Sequence, residues 1–235
     1  MAKYYSLSNA TFVNDFKAAL ESYYGDGVTI ESASGTTIIF QCLSVCDKVL
    51  KFASYSAGVD AYVGDTSASM TQFGSPYNNE VGGNYNLILA DTFIIIDSLS
   101  SSDCRNSVLV AKLTNGRYMV SSGTVTSNTG DSYRNHHCYF TDTMVRRPIR
   151  MIAPYAQTLK SNGKLCLFPS YIADDTEVEL NADGTFASIQ GLLLASTTGK
   201  SIVGANYYLS QSGLWGRQVD GTYCHTQKYV ELEME

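Results

Sequence analysis

Five pairs of Asn or Asp followed by Gly constrain the fold of this chain more than any other feature. The pairs lie at positions 26–27, 115–116, 162–163, 183–184 and 220–221. Such pairs readily adopt the positive φ angles that tight hairpin turns require. Short runs rich in β-branched and aromatic residues stand among them, as at 36–42 and 48–54. The pattern predicts a mainly β protein, an antiparallel sandwich or barrel-like set of sheets built from hairpins.

The pair at 115–116 also predicts a strand register. With a two-residue turn, Leu113 faces Tyr118 and Ala111 faces Val120 across the ladder. Apolar residues then meet on one face of the hairpin, so the register is self-consistent.

The pair at 183–184 predicts a second hairpin, in which Leu180 faces Ala187 while Glu177 and Glu179 point the other way. The acidic residues of this segment therefore form a solvated strand face. The alternative is a calcium site, but the segment holds only a fragment of the EF-hand pattern. The same alternation at residues 230–235 predicts a half-buried strand with an acidic outer face.

Residues 86–97 carry the strongest apolar signal of the chain. Two runs, at 87–89 and 93–96, are apolar on both faces. We predict that this segment is the central strand of the first sheet.

One amphipathic helix is predicted, from about Ser8 to Tyr24. Its apolar residues recur at spacings of three and four, with Ser8 or Asn9 to cap its start and Gly25 to end it. A stripe that includes Phe12 and Phe16 must pack against something. The alternatives are the core of the protein and a partner, for which these two residues are interface candidates.

Charge and composition exclude some classes of function. The 235 residues include 16 Lys plus Arg and 22 Asp plus Glu, a net charge of −6, and only 16% are charged. An acidic chain lacks the basic field that nucleic-acid binding needs. The chain has no apolar run of about 18 residues, and no such run follows Lys3. We expect neither membrane insertion nor a cleaved signal.

The prolines indicate a domain boundary. Pro148 and Pro154 flank a short segment, and each disfavours regular pairing in the middle of a sheet. We predict a helix-plus-β domain over 1–150 and a second β unit over 151–235, with a single domain as the alternative.

The six cysteines are predicted to be free thiols, because a core of this size needs no disulfide staples. Zinc is the alternative, but there is neither a CxxC pair nor an HExxH helix. We predict no metal and no cofactor.

Candidate nucleophiles lack their partners. Gly130, Asp131 and Ser132 resemble the nucleophile block of GDSL-type hydrolases, yet the block is central and Asp220 precedes His225 by five residues instead of three. Pairing Cys42 or Cys138 with a histidine has no local signature behind it. We predict that the protein is not an enzyme and has no catalytic residues.

Four arginines within seventeen residues form the only basic concentration. They suit an anion pocket or a patch that meets the acidic face of a neighbouring copy, and the alternative is pairing with Asp131 and Asp142. The four are Arg134, Arg146, Arg147 and Arg150. We expect these arginines and the lone Trp215 to be interface residues, in addition to Phe12 and Phe16.

The whole chain resembles the virion structural proteins of tailed bacteriophages, most of all tail, baseplate and head-to-tail components. The resemblance lies in a short N-terminal helix followed by hairpins rich in Thr, Ser, Gly, Asn and Tyr, with few charges. It carries over no functional residue.

The resemblance implies a non-enzymatic homo-oligomer that is assembled in the bacterial cytoplasm into a virion, with copies of itself and other virion proteins as partners. The composition agrees, since interfaces are depleted in Lys and Glu and enriched in aromatic residues. The alternative is a carbohydrate- or receptor-binding β-sandwich, for which 17 tyrosines supply stacking rings.

Overall fold

The computed structural model describes residues 3–56, 58–74, 84–98, 107–122, 138–147, 150–152, 166–173, 178–196, 214–217 and 223–226. Within these residues there is one α-helix, and seventeen strands form three sheets, here named A, B and C. The protein is mainly β with antiparallel sheets and an N-terminal helix, which confirms the predicted fold class.

Sheet A has seven antiparallel strands. Its described strands are β1 (Lys3–Ser8), β7 (Asn84–Leu89), β8 (Phe93–Ser98), β9 (Ser107–Lys112), β10 (Tyr118–Ser122), β11 (Cys138–Phe140) and β12 (Arg146–Arg147), in that spatial order. The chain therefore starts sheet A, leaves it to build sheet B, and returns.

Sheet B is an antiparallel meander. Its strands are β2 (Thr29–Ser34), β3 (Thr37–Gln41), β4 (Val49–Tyr55), β5 (Gly58–Thr66) and β6 (Ser69–Gly74). Sheet C runs in the order β13, β14, β15, β17, β16, and its one parallel pair joins β15 to β17. Its strands are β13 (Arg150–Ile152), β14 (Cys166–Ala173), β15 (Ser188–Ser196), β16 (Leu214–Arg217) and β17 (Tyr223–Thr226).

The helix α1 (Phe12–Tyr24) follows a single 3₁₀ turn and ends at Gly25, whose φ of +53° suits glycine. The expected side-chain cap from Ser8 or Asn9 is absent. Asp15 in the first turn instead accepts a hydrogen bond from the Thr11 hydroxyl at 2.5 Å. The Asp15 carboxylate, in the first turn of the helix, therefore stabilises the helix N-terminus.

The expected interface role of Phe12 and Phe16 is wrong, because both are buried in the core. The Phe12 ring packs edge-on against Tyr85 of sheet A. The Phe16 ring contacts Phe40 and Phe52 of sheet B, with centroids 5.6 and 5.3 Å away. The helix therefore joins two sheets, and its stripe leaves no room for a partner.

Sheet A is buried on both faces. Because side chains alternate along a strand, its apolar runs supply two cores at once. One face joins the helix and sheet B through Leu87, Ile94, Ile96, Val108, Val110 and Val120. The other face packs against Ile172, Ile189 and Leu192 of sheet C through Ile88, Phe93, Ile95, Leu109, Ala111 and Met119. Three layers result.

Residues 86–97 form two central strands instead of the single strand predicted. A two-residue loop, Asp91 and Thr92, reverses the chain between β7 and β8, and Leu89 pairs with Ile94. Neither loop residue is glycine, so the sequence carries no Gly-based turn signal here. Tyr24 holds this turn by donating its hydroxyl to the Ala90 carbonyl at 2.7 Å.

The predicted register at 115–116 is wrong by one residue. Met119 lies opposite Ala111, and Val120 opposite Val110. The loop has three residues, closed by the Gly116 amide on the Leu113 carbonyl at 2.9 Å, with Gly116 at φ +87°. In this three-residue loop, a type I turn is followed by a glycine with positive φ. The extra loop residue shifts the strand pairing by one residue from the predicted register.

The hairpin at 183–184 departs from its predicted register in the same way. Leu180 bridges Phe186, and the Gly184 amide closes the turn on Asn181. Because one residue of shift exchanges the two faces of a strand, Leu180 is 49% exposed. The Glu179 side chain is only 13% exposed, so the prediction of a solvated acidic face is wrong for Glu179.

Other turn predictions differ in outcome. The pair at 26–27 lies in a 3₁₀ turn, Gly25–Gly27, after the helix, so it is not a hairpin. The pairs at 162–163 and 220–221 and the segment 230–235 lie outside the described residues. Sheet A ends at β12 and sheet C begins at β13, and the division at 150 stays a prediction.

Candidate functional site: the Arg117 network

Arg117 is the centre of a polar network between the two hairpin loops. Its guanidinium donates two hydrogen bonds to Asp142, from Nε at 2.9 Å and from Nη2 at 3.1 Å. Its third nitrogen, Nη1, donates to Glu179 at 2.6 Å. The guanidinium carbon lies 3.7 Å from the centroid of the Phe140 ring. Planar, forked and weakly hydrated, arginine suits such a site where lysine does not.

The two hairpin loops also bond each other directly. Asn115 donates to the Glu179 carboxylate at 3.1 Å and to the Leu180 carbonyl at 3.2 Å. Thr114 donates to Asn181 at 2.8 Å and accepts from the Ser188 amide at 3.0 Å. The network therefore locks a loop of sheet A to the loop that leads into sheet C.

A third loop, at 42–48, reaches the same end of the molecule. The Tyr118 hydroxyl donates to the Leu43 carbonyl at 3.0 Å. The Thr141 hydroxyl donates to Asp47 at 2.6 Å. Lys112 lies over the Tyr118 ring, 5.3 Å from its centroid. The 42–48 loop is therefore hydrogen-bonded to the residues that flank Arg117 and Asp142 in the network.

The ion pairs shift the ionisation of their members. Hydrogen bonds from Arg117 lower the pKa of Asp142 below its ordinary value of 3.8. Partial burial opposes the charge on Arg117, but its bonds to Asp142 and Glu179 outweigh that cost and raise its pKa. These shifts keep both Arg117 and Asp142 charged at neutral pH.

Two of the predicted free thiols can be described, and both are free and buried as expected. Burial raises the pKa of Cys46 to about 12 and also raises the pKa of Cys42. The Cys42 sulfur lies 3.3 Å from the Ser44 hydroxyl. Because the thiolate is the reactive form, these environments make poor nucleophiles.

The remaining predicted site residues fall in different places. Arg146 and Arg147 form β12 at the edge of sheet A, Arg150 begins β13, and Trp215 lies in β16. Arg134, residues 130–132 and both histidines at 136–137 lie outside the described residues. Asp142, expected to pair with these arginines, pairs with Arg117.

Sequence reasoning missed the network itself. Arg117 lies 25 residues from Asp142 and 62 from Glu179, so no local spacing links them. The acidic segment that suggested calcium is used otherwise, since Glu179 binds Arg117 and Asp183 accepts from Thr185. Among the described residues, no group of three or more His, Cys, Asp or Glu side chains is placed to hold a metal.

Comparison of the chain with protein-family models, curated proteins and solved structures finds no match. In the part of the chain that the structure describes, no helix has the length and apolar character needed to cross a membrane.

Proposed function

We propose that this protein is a non-enzymatic structural component of a tailed-bacteriophage virion, a tail or baseplate protein that assembles in the bacterial cytoplasm. It works with copies of itself and with other virion proteins. One observation carries the proposal: at the Arg117 end, charged groups bond one another while large apolar side chains remain exposed.

This arrangement supports assembly better than catalysis. A catalytic site keeps a nucleophile, base or charge available to the substrate. Here all three guanidinium nitrogens of Arg117 bond carboxylates, and the thiols of Cys42 and Cys46 are held protonated. Neutralised charges beside exposed apolar groups are typical of the centre of a protein interface.

Particle composition tests the proposal. Phage particles purified by density gradient from the producing culture should contain the protein at a fixed copy number, measured by quantitative mass spectrometry. Gold-labelled antibody should mark the tail or baseplate in electron micrographs. Recovery of the protein only in the particle-free fraction would contradict the proposal.

A second candidate, glycan binding, is favoured by the outer face of sheet B. The half-buried Tyr62 ring has Lys51 over it, with Nζ 4.2 Å from the ring centroid, and lies beside Asp60 and Gln72. These side chains carry donor and acceptor groups of the kind that pair with sugar hydroxyls. A glycan array tests it: binding should be lost in Tyr62→Ala and kept in the control Tyr55→Ala.

A further inference from the structure

The loop between β9 and β10 contains Asn115 followed by Gly116, the dipeptide in which asparagine deamidates most readily. In that reaction the backbone nitrogen of Gly116 attacks the side-chain carbonyl carbon of Asn115, and a succinimide ring forms. The Gly116 amide proton leaves with the side-chain nitrogen as ammonia. Water then opens the ring to aspartate or isoaspartate. Glycine favours the attack because it has no side chain to block the approach.

Solvent reaches this loop. Asn115 is half-buried, and its neighbours Thr114 and Gly116 are both exposed. Burial therefore does not keep water away from Asn115. Any protection of its amide must come from hydrogen bonds that hold the reacting groups apart.

The groups that take part in the reaction are hydrogen-bonded elsewhere. The Gly116 N–H, whose proton must leave, donates to the Leu113 carbonyl at 2.9 Å. The Asn115 side-chain nitrogen donates to the Glu179 carboxylate at 3.1 Å and to the carbonyl of the next residue at 3.2 Å. Its side-chain oxygen accepts from the Arg117 backbone amide at 3.1 Å. Ring closure breaks these bonds, so it requires the loop to open locally.

Arg117 connects this opening to the rest of the network. Its guanidinium donates to Glu179 at 2.6 Å and so fixes the carboxylate that Asn115 also binds. We propose that Asn115 is a deamidation site controlled by the Arg117 network. The closed network protects the amide, and each opening exposes it to a conversion that is not reversed. This inference does not depend on the proposed function.

The product of the reaction cannot restore the contact. A carboxylate at position 115 has no proton to donate, and it places an oxygen where the amide nitrogen lay 3.1 Å from the Glu179 carboxylate. Two negative charges this close repel each other. The Leu180 carbonyl also loses its donor. Isoaspartate further lengthens the main chain of the loop. Deamidation therefore weakens the attachment of the 178–188 hairpin to sheet A.

The rate of deamidation at residue 115 tests the protection. Folded wild-type protein and the same protein in urea are incubated at one mildly alkaline pH, and peptide mass spectrometry measures aspartate and isoaspartate at this position. Conversion should be about tenfold or more slower in the folded protein, because only the opened loop reacts. Equal rates in the two conditions would overturn the proposal.

Arg117→Met tests the control by the network. Its rate in the folded state, divided by its own rate in urea to remove the effect of the changed sequence, should exceed the wild-type ratio several-fold. The matched control is Lys17→Met, which removes an exposed ion pair with Glu21 and should match wild type. A wild-type ratio in Arg117→Met would show that the network does not control the reaction.

Asn115→Asp tests the consequence of the conversion. Backbone hydrogen exchange over residues 178–188 should be several-fold faster than in wild type at neutral pH. The control Asn14→Asp makes the same chemical change at an exposed position of α1 and should leave this exchange unchanged. Exchange at the wild-type rate in Asn115→Asp would overturn the proposed release of the hairpin. Particle composition judges the proposed function separately from all of these results.

Discussion

Arg117 and Asp142 are joined by two parallel hydrogen bonds across 25 residues of sequence, at 2.9 and 3.1 Å. The remaining nitrogen of the same guanidinium binds Glu179, which belongs to a hairpin of the next layer. One side chain therefore ties the β9–β10 loop of sheet A to the hairpin that lies between β14 and β15 of sheet C.

Replacing Arg117 should destabilise the protein. We expect Arg117→Met to lower the free energy of unfolding by about 1–3 kcal/mol, because it removes the ion-pair partner of the largely buried Glu179 carboxylate and leaves it only the Asn115 amide. Arg117→Lys should recover only part of this, since it lacks the fork. Urea denaturation measures both variants. The control Lys17→Met breaks an exposed pair with Glu21 and should cost about 0.5 kcal/mol or less. Equal losses in the two methionine variants would contradict the structural role of Arg117.

The lowered pKa of Asp142 predicts a specific response to acid. Its folded pKa lies below the ordinary 3.8, so it stabilises the fold above that pH, and the contribution is lost as pH falls through the folded pKa. Urea midpoints between pH 6 and about 2.5 should show a shallower acid loss in Asp142→Asn than in wild type. Identical slopes below pH 4 would show that Asp142 is not the group involved.

Gly64 is required in β5, where it pairs with Met70 of β6 beside an irregularity in the strand register. A Cβ built at this position would lie 2.0 Å from the Ser69 carbonyl oxygen, a backbone atom that cannot move aside. We expect Gly64→Ala to cost about 3 kcal/mol. The control is Gly27→Ala, whose Cβ would meet only the Tyr24 Cβ at 3.8 Å, and which should be nearly neutral. Thermal unfolding compares the two, and a neutral Gly64→Ala would contradict the close approach.

The thiols of Cys42 and Cys46 should resist alkylation in the folded protein. Both are buried and their pKa values are raised, that of Cys46 to about 12, so little thiolate forms at pH 8. Iodoacetamide treatment followed by peptide mass spectrometry should show both unmodified in native protein and both modified in urea. Rapid native labelling, or recovery of either cysteine in a disulfide, would show a different environment.

Self-association should survive high salt. If exposed apolar side chains such as Leu43 and Phe186 carry the contact, raising salt to about 1 M, where the Debye length is ~3 Å, should change the dissociation constant only a few-fold. If instead the arginines of one copy met the acidic 231–235 segment of another, the same salt should dissolve the assembly. Light scattering at low and high salt distinguishes the two.

The sequence by itself determined the kinds of element and the places where the chain turns. The stripe of Phe12, Phe16 and Leu20 defined a helix that the structure confirms, with Gly25 at its end. Glycine after Asn or Asp marked the turns at 115–116 and 183–184, since positive φ is a local property of those residues. The double-sided burial of Ile94 and Ile95 also follows from a local pattern.

Only the tertiary structure decided the registers and the Arg117 network. A two-residue and a three-residue loop use the same Asn-Gly signal, and the choice between them depends on which face of each strand finds a core. In the 178–188 hairpin, that choice buries Ala187 beside Glu179 and exposes Leu180. The largely buried Glu179 carboxylate is stabilised there because Arg117, from another layer, donates a hydrogen bond to it. The packing of the sheets determines this contact, so no short stretch of sequence could predict it.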